Sequence, residues 1–372
     1  MKISFVRGAY LNNFEGQNYN FPLTGYSSLF PLDDCVSFPL VKLPSISDLQ
    51  KISFLDKPIK YLANRTLGDS QILFGLEKYI CNSDIVHVAD PHYYYSYQAA
   101  RLKAKGMIRK LVSTWWETIP FNNESTSAKK RIKKFTMSQM DIFICHSEKA
   151  KNCLVEEGIS LQKILIIPLG VDTSLFRPQV REKTLDFTIL FVGRLVKEKG
   201  ILDLYEVFKQ TISNNKNINI KLRIVGSGPL ESSLRRHIQK DSFQDRVTIE
   251  HKSYREMPEV YRQSNILCVP SIKIKTWEEQ YGMVFVEAMA SGLPVVSYTS
   301  GAISELVQGA GLLTEQGNIN QLAGSLKRLC SDSQLCSKIG TIGRERAVKL
   351  FDAQKTAEAI QKLYKNLMDT YE

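Results

Sequence analysis

Glu279-Gln280-Tyr281-Gly282-Met283-Val284-Phe285-Val286-Glu287-Ala288-Met289-Ala290-Ser291-Gly292-Leu293-Pro294 is the stretch on which the fold turns. Two carboxylates stand eight positions apart, the first in a glycine-containing loop, the second on a short helix that starts after Gly282. Ser291-Gly292 offers a left-handed C-terminal cap and Pro294 forbids continuation, so the helix ends there. Val295-Val296-Ser297-Tyr298 then reads as a buried strand. The loop brings backbone N–H groups and the positive end of a helix to one point, which suits a phosphate. Glu287 follows Gly282 by about 7–8 Å along the helix axis. That offset lets one carboxylate hold a ribose while the other works beyond a diphosphate. The competing reading is a surface-loop acid and an exposed helix acid.

These residues resemble the signature of the retaining glycosyltransferases of the GT-B fold, in particular glycosyltransferase family 4. The signature is a glutamate, seven residues and a second glutamate, then Ala-Met-Ala-x-Gly-x-Pro, matched here without a gap. The resemblance implies an α/β chain of GT-B type, two Rossmann-like domains facing each other across a cleft. It implies that Glu279 binds hydroxyls of a donor sugar and Glu287 the nucleotide ribose, with Gln280, Tyr281, Gly282 and Met283 lining the donor.

Upstream, Thr188 to Val192 reads as a buried strand that runs into Gly193-Arg194 and then Lys197-Glu198-Lys199-Gly200. A glycine turn here holds two cations five residues apart. A diphosphate gains negative charge as a sugar leaves it; arginine binds it bidentately and lysine acts as a point charge. The element is similar to the family's Gly-Arg…Lys-Gly, which implies donor contacts for Gly193, Arg194 and Lys199. It is not a Walker loop, because no Gly-Lys-Ser/Thr follows. Two solvated surface cations are the alternative. Leu222 to Val225 reads as another strand leading to Gly226-Ser227-Gly228, a dinucleotide fingerprint whose third glycine is replaced by Glu231. In the resembled family this loop lies by the nucleotide, so Gly226 and Gly228 are expected to let backbone approach it. Further on, 264–271 reads as a strand, 314–329 and 340–350 as helices. A final amphipathic helix ends near Tyr371, and the resemblance implies that it returns to the first domain.

Pro168 to Pro178, with Gly170 between them, reads as an interdomain hinge. The expected plan is a first domain over 1–168, a hinge at 169–179, a second domain over 180–351, and a helix at 352–372 completing the first. Residues 1–167 alternate short apolar strands with helical patterns, as a parallel sheet covered on both faces requires. Met1 to Val6 is the first strand; Arg7 and Gly8 end it, and 7–19 is a polar loop at the ligand-binding edge. The resemblance implies donor contacts there, carried by Gly8 and Gly16. The strand 84–88 delivers Asp90 and His92 to the same edge as acceptor-binding candidates, while His87 reads as a core histidine. Tyr93, Tyr94 and Tyr95 either stack on a sugar or begin an internally packed helix. The strand 110–115 delivers Trp116 and Glu117, where many relatives carry a histidine facing the reacting sugar. Glu117 is a candidate to orient the acceptor or stabilise positive charge at the anomeric carbon; pairing with nearby cations is its alternative. Ser147 fits a helix N-cap.

The 372 residues suffice for two cores, and a hydrophobic share of 43% with 23% charged residues is that of an ordinary soluble chain. No apolar run approaches the roughly 20 residues of a membrane-spanning helix. The first strand is too short for a signal peptide, so a cytoplasmic chain is expected. Seven scattered cysteines, with no Cys-x-x-Cys pair and no zinc-ligand spacing, point to reduced thiols. The net charge of +11 concentrates in part between Arg101 and Lys134, where ten cations face Glu117 and Glu124 alone. Such a patch fits an anionic membrane surface or two solvated helix faces. No nucleic-acid motif accompanies it.

The resemblance implies hexosyl transfer with retention from a UDP- or GDP-linked sugar to a glycan or lipid-linked acceptor, in surface polysaccharide or glycolipid synthesis. The proposed front-face chemistry of such enzymes uses no side-chain nucleophile, and no metal or other cofactor is expected. Arg194, Lys199, Glu279 and Glu117 are the candidate catalytic set. A nucleotide-sugar-binding protein without transfer, or a hydrolase or phosphorylase of the same fold, is the alternative.

Overall fold

The computed structural model describes residues 1–51, 56–179, 186–214 and 218–369. Tyr371, and the 180–185 start of the second domain, lie outside them. The chain divides into two compact units, Met1–Leu169 with the chain from Gln354 onward, and Gly170–Ala353.

The first unit holds seven parallel strands: β1 (Ile3–Gly8), β2 (Thr24–Ser27), β3 (Leu40–Lys42), β4 (Ile85–Val88), β5 (Lys110–Trp115), β6 (Ile142–Cys145) and β7 (Ile164–Ile166). Their order is β3-β2-β1-β4-β5-β6-β7, so the winding reverses between β1 and β4. Successive side chains of a strand point to opposite faces, and a sheet covered on both sides is apolar on both. Val6, Val86, Val88, Leu111, Phe143 and Cys145 accordingly belong to one core cluster. Phe5, Ile85, Val112 and Ile144 belong to the other. That second face is closed by Ile360, Leu363 and Tyr364 of the chain's last described helix, Ala353–Asp369. Arg7 does not end the first strand. It is 1% exposed within β1, because every polar atom it carries inward finds a partner.

The second unit holds six parallel strands: β8 (Asp186–Val192), β9 (Asn219–Val225), β10 (Val247–Glu250), β11 (Ile266–Cys268), β12 (Val295–Tyr298) and β13 (Gly311–Thr314). Their order is β10-β9-β8-β11-β12-β13, with the reversal between β8 and β11. Thr314 closes a strand rather than opening a helix; the helices here are Ile319–Ser331 and Ser333–Leu350. The segment read as a hinge is fastened to this unit: the Val171 N–H donates to the Phe351 carbonyl (2.9 Å) and the Ala353 N–H to that of Val171 (2.9 Å). Phe176, fully buried, packs against Tyr254 and Tyr261.

Candidate functional site

In an open parallel sheet the loops on either side of a winding reversal diverge and leave a crevice at the strands' C-terminal ends. In the second unit these are the loops after β8 and β11. Gly200 lets them touch: it sits at φ +67°, and a Cβ there would lie 2.0 Å from the Pro270 carbonyl oxygen. Lys199 reaches across, its Nζ 2.6 Å from Oε2 of Glu279. The Ser271 hydroxyl donates to the same oxygen at 2.7 Å. The Lys199 ammonium also stands 5.0 Å from the Trp277 ring centroid, a cation–π distance. Gly301 cradles the backbone of Glu279, leaving no room for a side chain: a Cβ would meet the Glu279 carbonyl oxygen at 1.8 Å. Glu279 is 6% exposed, so it is no surface-loop acid. Arg194, five residues before Lys199, is exposed, and among the described residues no acidic partner holds it.

The loop then enters the helix Met283–Ala290. Gly282 precedes it at φ +91°, where a Cβ would lie 2.5 Å from the Phe285 ring. Tyr281 is buried beside it, and Gln280 and Met283 are half-buried. Glu287 is buried rather than exposed on its helix. The Tyr261 hydroxyl donates to its Oε2 at 2.6 Å. Burial pushes the Glu287 carboxyl up to about 7, against the opposing pull of hydrogen bonds from Tyr261 and Tyr254. Two glutamates one motif apart are thus held differently. Glu279 is matched by a cation, and Glu287 sits among tyrosines. Ser291 caps the helix and Gly292 turns left-handed at φ +75°.

Gly193, Gly226 and Gly228 serve first to pack loops on one another. A Cβ on Gly226 would lie 2.0 Å from the Gly193 carbonyl oxygen, and one on Gly228 2.5 Å from that of Leu195. The Leu195 N–H donates to the Ser227 carbonyl at 2.8 Å. The close approach these glycines allow is backbone to backbone, and it supports the turn from which Arg194 projects.

In the first unit Gly8, at φ +54°, abuts Gln71 and Tyr95, and Gly16 ends the short helix Asn13–Gly16 against Val36 and Phe38. Both glycines are packed by their own domain. Asp90 is buried, and its Oδ1 accepts the Trp116 N–H at 2.9 Å. Burial raises its carboxyl to about 7, with Glu117 adding to the rise. His92 lies against Tyr93, ring centroids 4.2 Å apart, and desolvation lowers its imidazole to about 3. Glu117 is committed to its own loop. Oε1 accepts the N–H groups of Thr118 and Ile119, and Oε2 accepts the side-chain amides of Asn122 and Asn123. A carboxylate so engaged shapes the loop, and among the described residues no cation pairs with it.

Three groups escaped the sequence reading. Ser271 and Tyr261 complete the settings of Glu279 and Glu287. Arg7 pairs with Glu15 (2.8 Å), donates to the Thr114 hydroxyl (2.9 Å), and lies 3.9 Å from the Phe5 ring centroid. Thr114 also meets His87 at 2.8 Å, and His87 meets the Tyr364 hydroxyl at 2.6 Å. No spacing rule signals any of them.

Residues 172–346 match the family model of glycosyl transferases group 1, and residues 54–175 that of glycosyltransferase family 4. This is a GT4-like chain with the GT-B glycosyltransferase fold. A crystal structure of Anabaena Alr3699/HepE in complex with UDP superposes on the GT4-like chain with a TM-score of 0.75, covering 98% of it and 100% of HepE at 17% identity. The capsular polysaccharide biosynthesis glycosyltransferase CapM of Staphylococcus aureus is 31% identical over 185 residues, covering 49% of this chain and 47% of CapM. The UDP-Gal:alpha-D-GlcNAc-diphosphoundecaprenol alpha-1,3-galactosyltransferase of Escherichia coli is 27% identical over 259 residues, covering 64% of this chain and 65% of the relative. The GT4-like chain spans about half to two thirds of the curated relatives it matches.

The basic run 101–134 is thinner in the fold than in the sequence. Lys110 and Lys133 are buried, and Lys133 is paired with Glu157 and Glu124. Lys103 is paired with Asp141, and Arg109 with Asp84. Arg101, Lys105, Arg131 and Lys134 remain as exposed cations, with Lys130 exposed but 3.5 Å from Glu124, on the helices Tyr94–Ala104 and Ser127–Ser138 and the turn after the first. Among the described residues no helix is long and apolar enough to cross a membrane. All seven cysteines are free, and Cys145 and Cys268 are buried in their strands.

Proposed function

We propose that the protein transfers a hexose, with retention, from a UDP- or GDP-linked donor to a glycan or lipid-linked acceptor. The observation that carries this is the meeting of Lys199 and Glu279 at the winding reversal, on a loop that also carries the exposed Arg194. Arg194, Lys199 and the amides after Gly282 take the diphosphate. Oε1 of Glu279, which no described residue engages, takes a sugar hydroxyl, and Glu287 takes the ribose in place of its tyrosine partner. The acceptor oxygen bonds to the anomeric carbon as the bond from that carbon to the phosphate oxygen breaks. The acceptor proton passes to the departing phosphate. Arg194 and Lys199 stabilise the charge that grows there, and neither a protein nucleophile nor a metal takes part. The UDP bound by HepE and the acceptor classes in the relatives' names support this reading.

We assign the acceptor to surface polysaccharide or glycolipid assembly and the protein to the cytosolic face of a membrane. Tyr61 and Leu62 are exposed on the helix Asp56–Thr66, which packs on Ser127–Ser138, the helix that carries Lys130, Arg131 and Lys134. That pairing of charge and apolar surface suits anionic lipid better than nucleic acid.

A panel of UDP- and GDP-sugars assayed for protection against thermal unfolding tests donor binding. Nucleotide release with and without acceptor then separates transfer from hydrolysis, and NMR of the product's anomeric proton reads retention. Protection by one nucleotide sugar, with release accelerated by acceptor, is expected. Failure of every nucleotide sugar to protect would overturn the reading. Sedimentation with phosphatidylglycerol vesicles at low and high salt tests the surface, and salt-insensitive or absent binding rejects it.

A further inference from the structure

The first sheet has its own winding reversal, between β1 and β4, and its loops there carry aromatic rings. Tyr10, in the loop after β1, is 44% exposed. Its ring centroid lies 5.1 Å from that of Tyr93, after β4, and Tyr93 lies 4.2 Å from His92. Trp116, after β5, is half-buried and braced edge-on by His146, after β6, at 4.6 Å. Four adjacent strands, β1-β4-β5-β6, thus each send an aromatic ring to one edge of the sheet.

These rings are fixed in place. Asp90 ties the β4 and β5 loops together through the Trp116 N–H. Asp69 accepts the N–H of Tyr94 at 3.0 Å, and Gln71 accepts that of Ala9 at 2.9 Å, so the β1 and β4 loops share a brace. Rings fixed in this way suit a particular ligand. A hydrocarbon chain would desolvate the hydroxyl of the exposed Tyr10 and give nothing back. A polyphosphate or nucleic acid needs cations, and Tyr10, Tyr93 and Trp116 bring none. A sugar presents apolar C–H faces to the rings and hydroxyls to the Tyr10 hydroxyl.

We propose that Tyr10, Tyr93 and Trp116 form a rail for an oligosaccharide acceptor of at least two units. This rests on the transfer reading above and names the acceptor class within it. From β1 to β5 is two strand spacings, roughly 10 Å. That is wider than one sugar ring, so chain length is the property the rail selects.

Saturation-transfer NMR on the full chain, with gluco-, manno- and N-acetylglucosamine oligosaccharides of one to four units, tests the rail. Binding by at least one series is expected to strengthen sharply from one unit to two. Tyr10→Ala and Trp116→Ala should each weaken the longer ligand by about tenfold. Tyr79→Ala, beside Lys2 at the sheet's opposite edge, should leave binding unchanged. Protection by UDP or GDP is measured on the same samples. If a nucleotide protects and no oligosaccharide binds, or Tyr10→Ala and Trp116→Ala bind like the parent, the rail is wrong while donor binding stands. If neither nucleotide protects, the transfer reading itself fails.

Discussion

At the winding reversal of the second unit, a lysine, a serine and a glutamate converge within 2.7 Å, and the lysine's own loop carries an exposed arginine. At the reversal of the first unit the loops show rings, and the charges lie beneath: Arg7 on Glu15, Asp90 on a backbone N–H. The same topology carries ion pairs in one case and aromatic faces in the other. A diphosphate demands fixed cations and amides whatever is attached to it, whereas an acceptor sugar offers only shape and hydroxyls. Charge therefore belongs at the surface of one crevice and underneath the other.

Removing charge from the second unit should do the greatest harm. Arg194→Ala with Lys199→Ala should lower turnover by about a thousandfold or more, as loss of leaving-group stabilisation does. A steady-state assay checks this, and a loss no larger than the tenfold forecast for Tyr10→Ala would erase the contrast. Glu279→Gln should reduce kcat by about a hundredfold and Ser271→Ala by about tenfold. Equal losses would show that Ser271 does more than steady its neighbour.

Burial of Glu287 makes the fold's stability depend on pH. The folded Glu287 carboxyl is raised to about 7 from 4.5, so the folded state holds a proton the unfolded chain has released. Stability is fully kept below about pH 4.5 and is lost as pH rises through 7. Asp90, raised to about 7, contributes with the same sign. Denaturant unfolding from pH 4.5 to 7.5 should show Glu287→Gln losing less than the parent, by about 3 kcal/mol. An unchanged slope would mean that Glu287 is ionised in the fold. Smaller in scale is a pair of glycines. Gly226→Ala, driven into the Gly193 carbonyl at φ +147°, should cost about 1–3 kcal/mol. Gly324→Ala, in open space on the helix Ile319–Ser331, should gain about 0.5–1 kcal/mol. Thermal unfolding reads both.

The difference between the units also governs what could be read in advance. Glu279 to Pro294 was legible because the loop, helix and cap are local and each leaves its own residue: Gly282 for the turn, Gly292 and Pro294 for the stop. Arg194 and Lys199 were legible for the same reason. Ser271 was not, since its meaning comes from an oxygen eight residues away across a loop. Arg7 was misread because a cation after four strand residues looks like an ending, and its partners lie as far off as Thr114. Glu117 was placed correctly at its sheet edge, but the two asparagines that occupy it carry no recognisable pattern. Strands and helices of both sheets were largely readable from apolar runs; the roles of single polar residues in the first unit were not.

The bond between His87 and Tyr364 joins residues 277 positions apart in the chain. When the ribosome has finished β7, one face of the first sheet still lacks Ile360, Leu363 and Tyr364. At about 5–20 residues per second, some ten to forty seconds pass before they emerge. For that interval Phe5, Val112 and Ile144 face water on the nascent chain, and a chaperone has its best opportunity to bind.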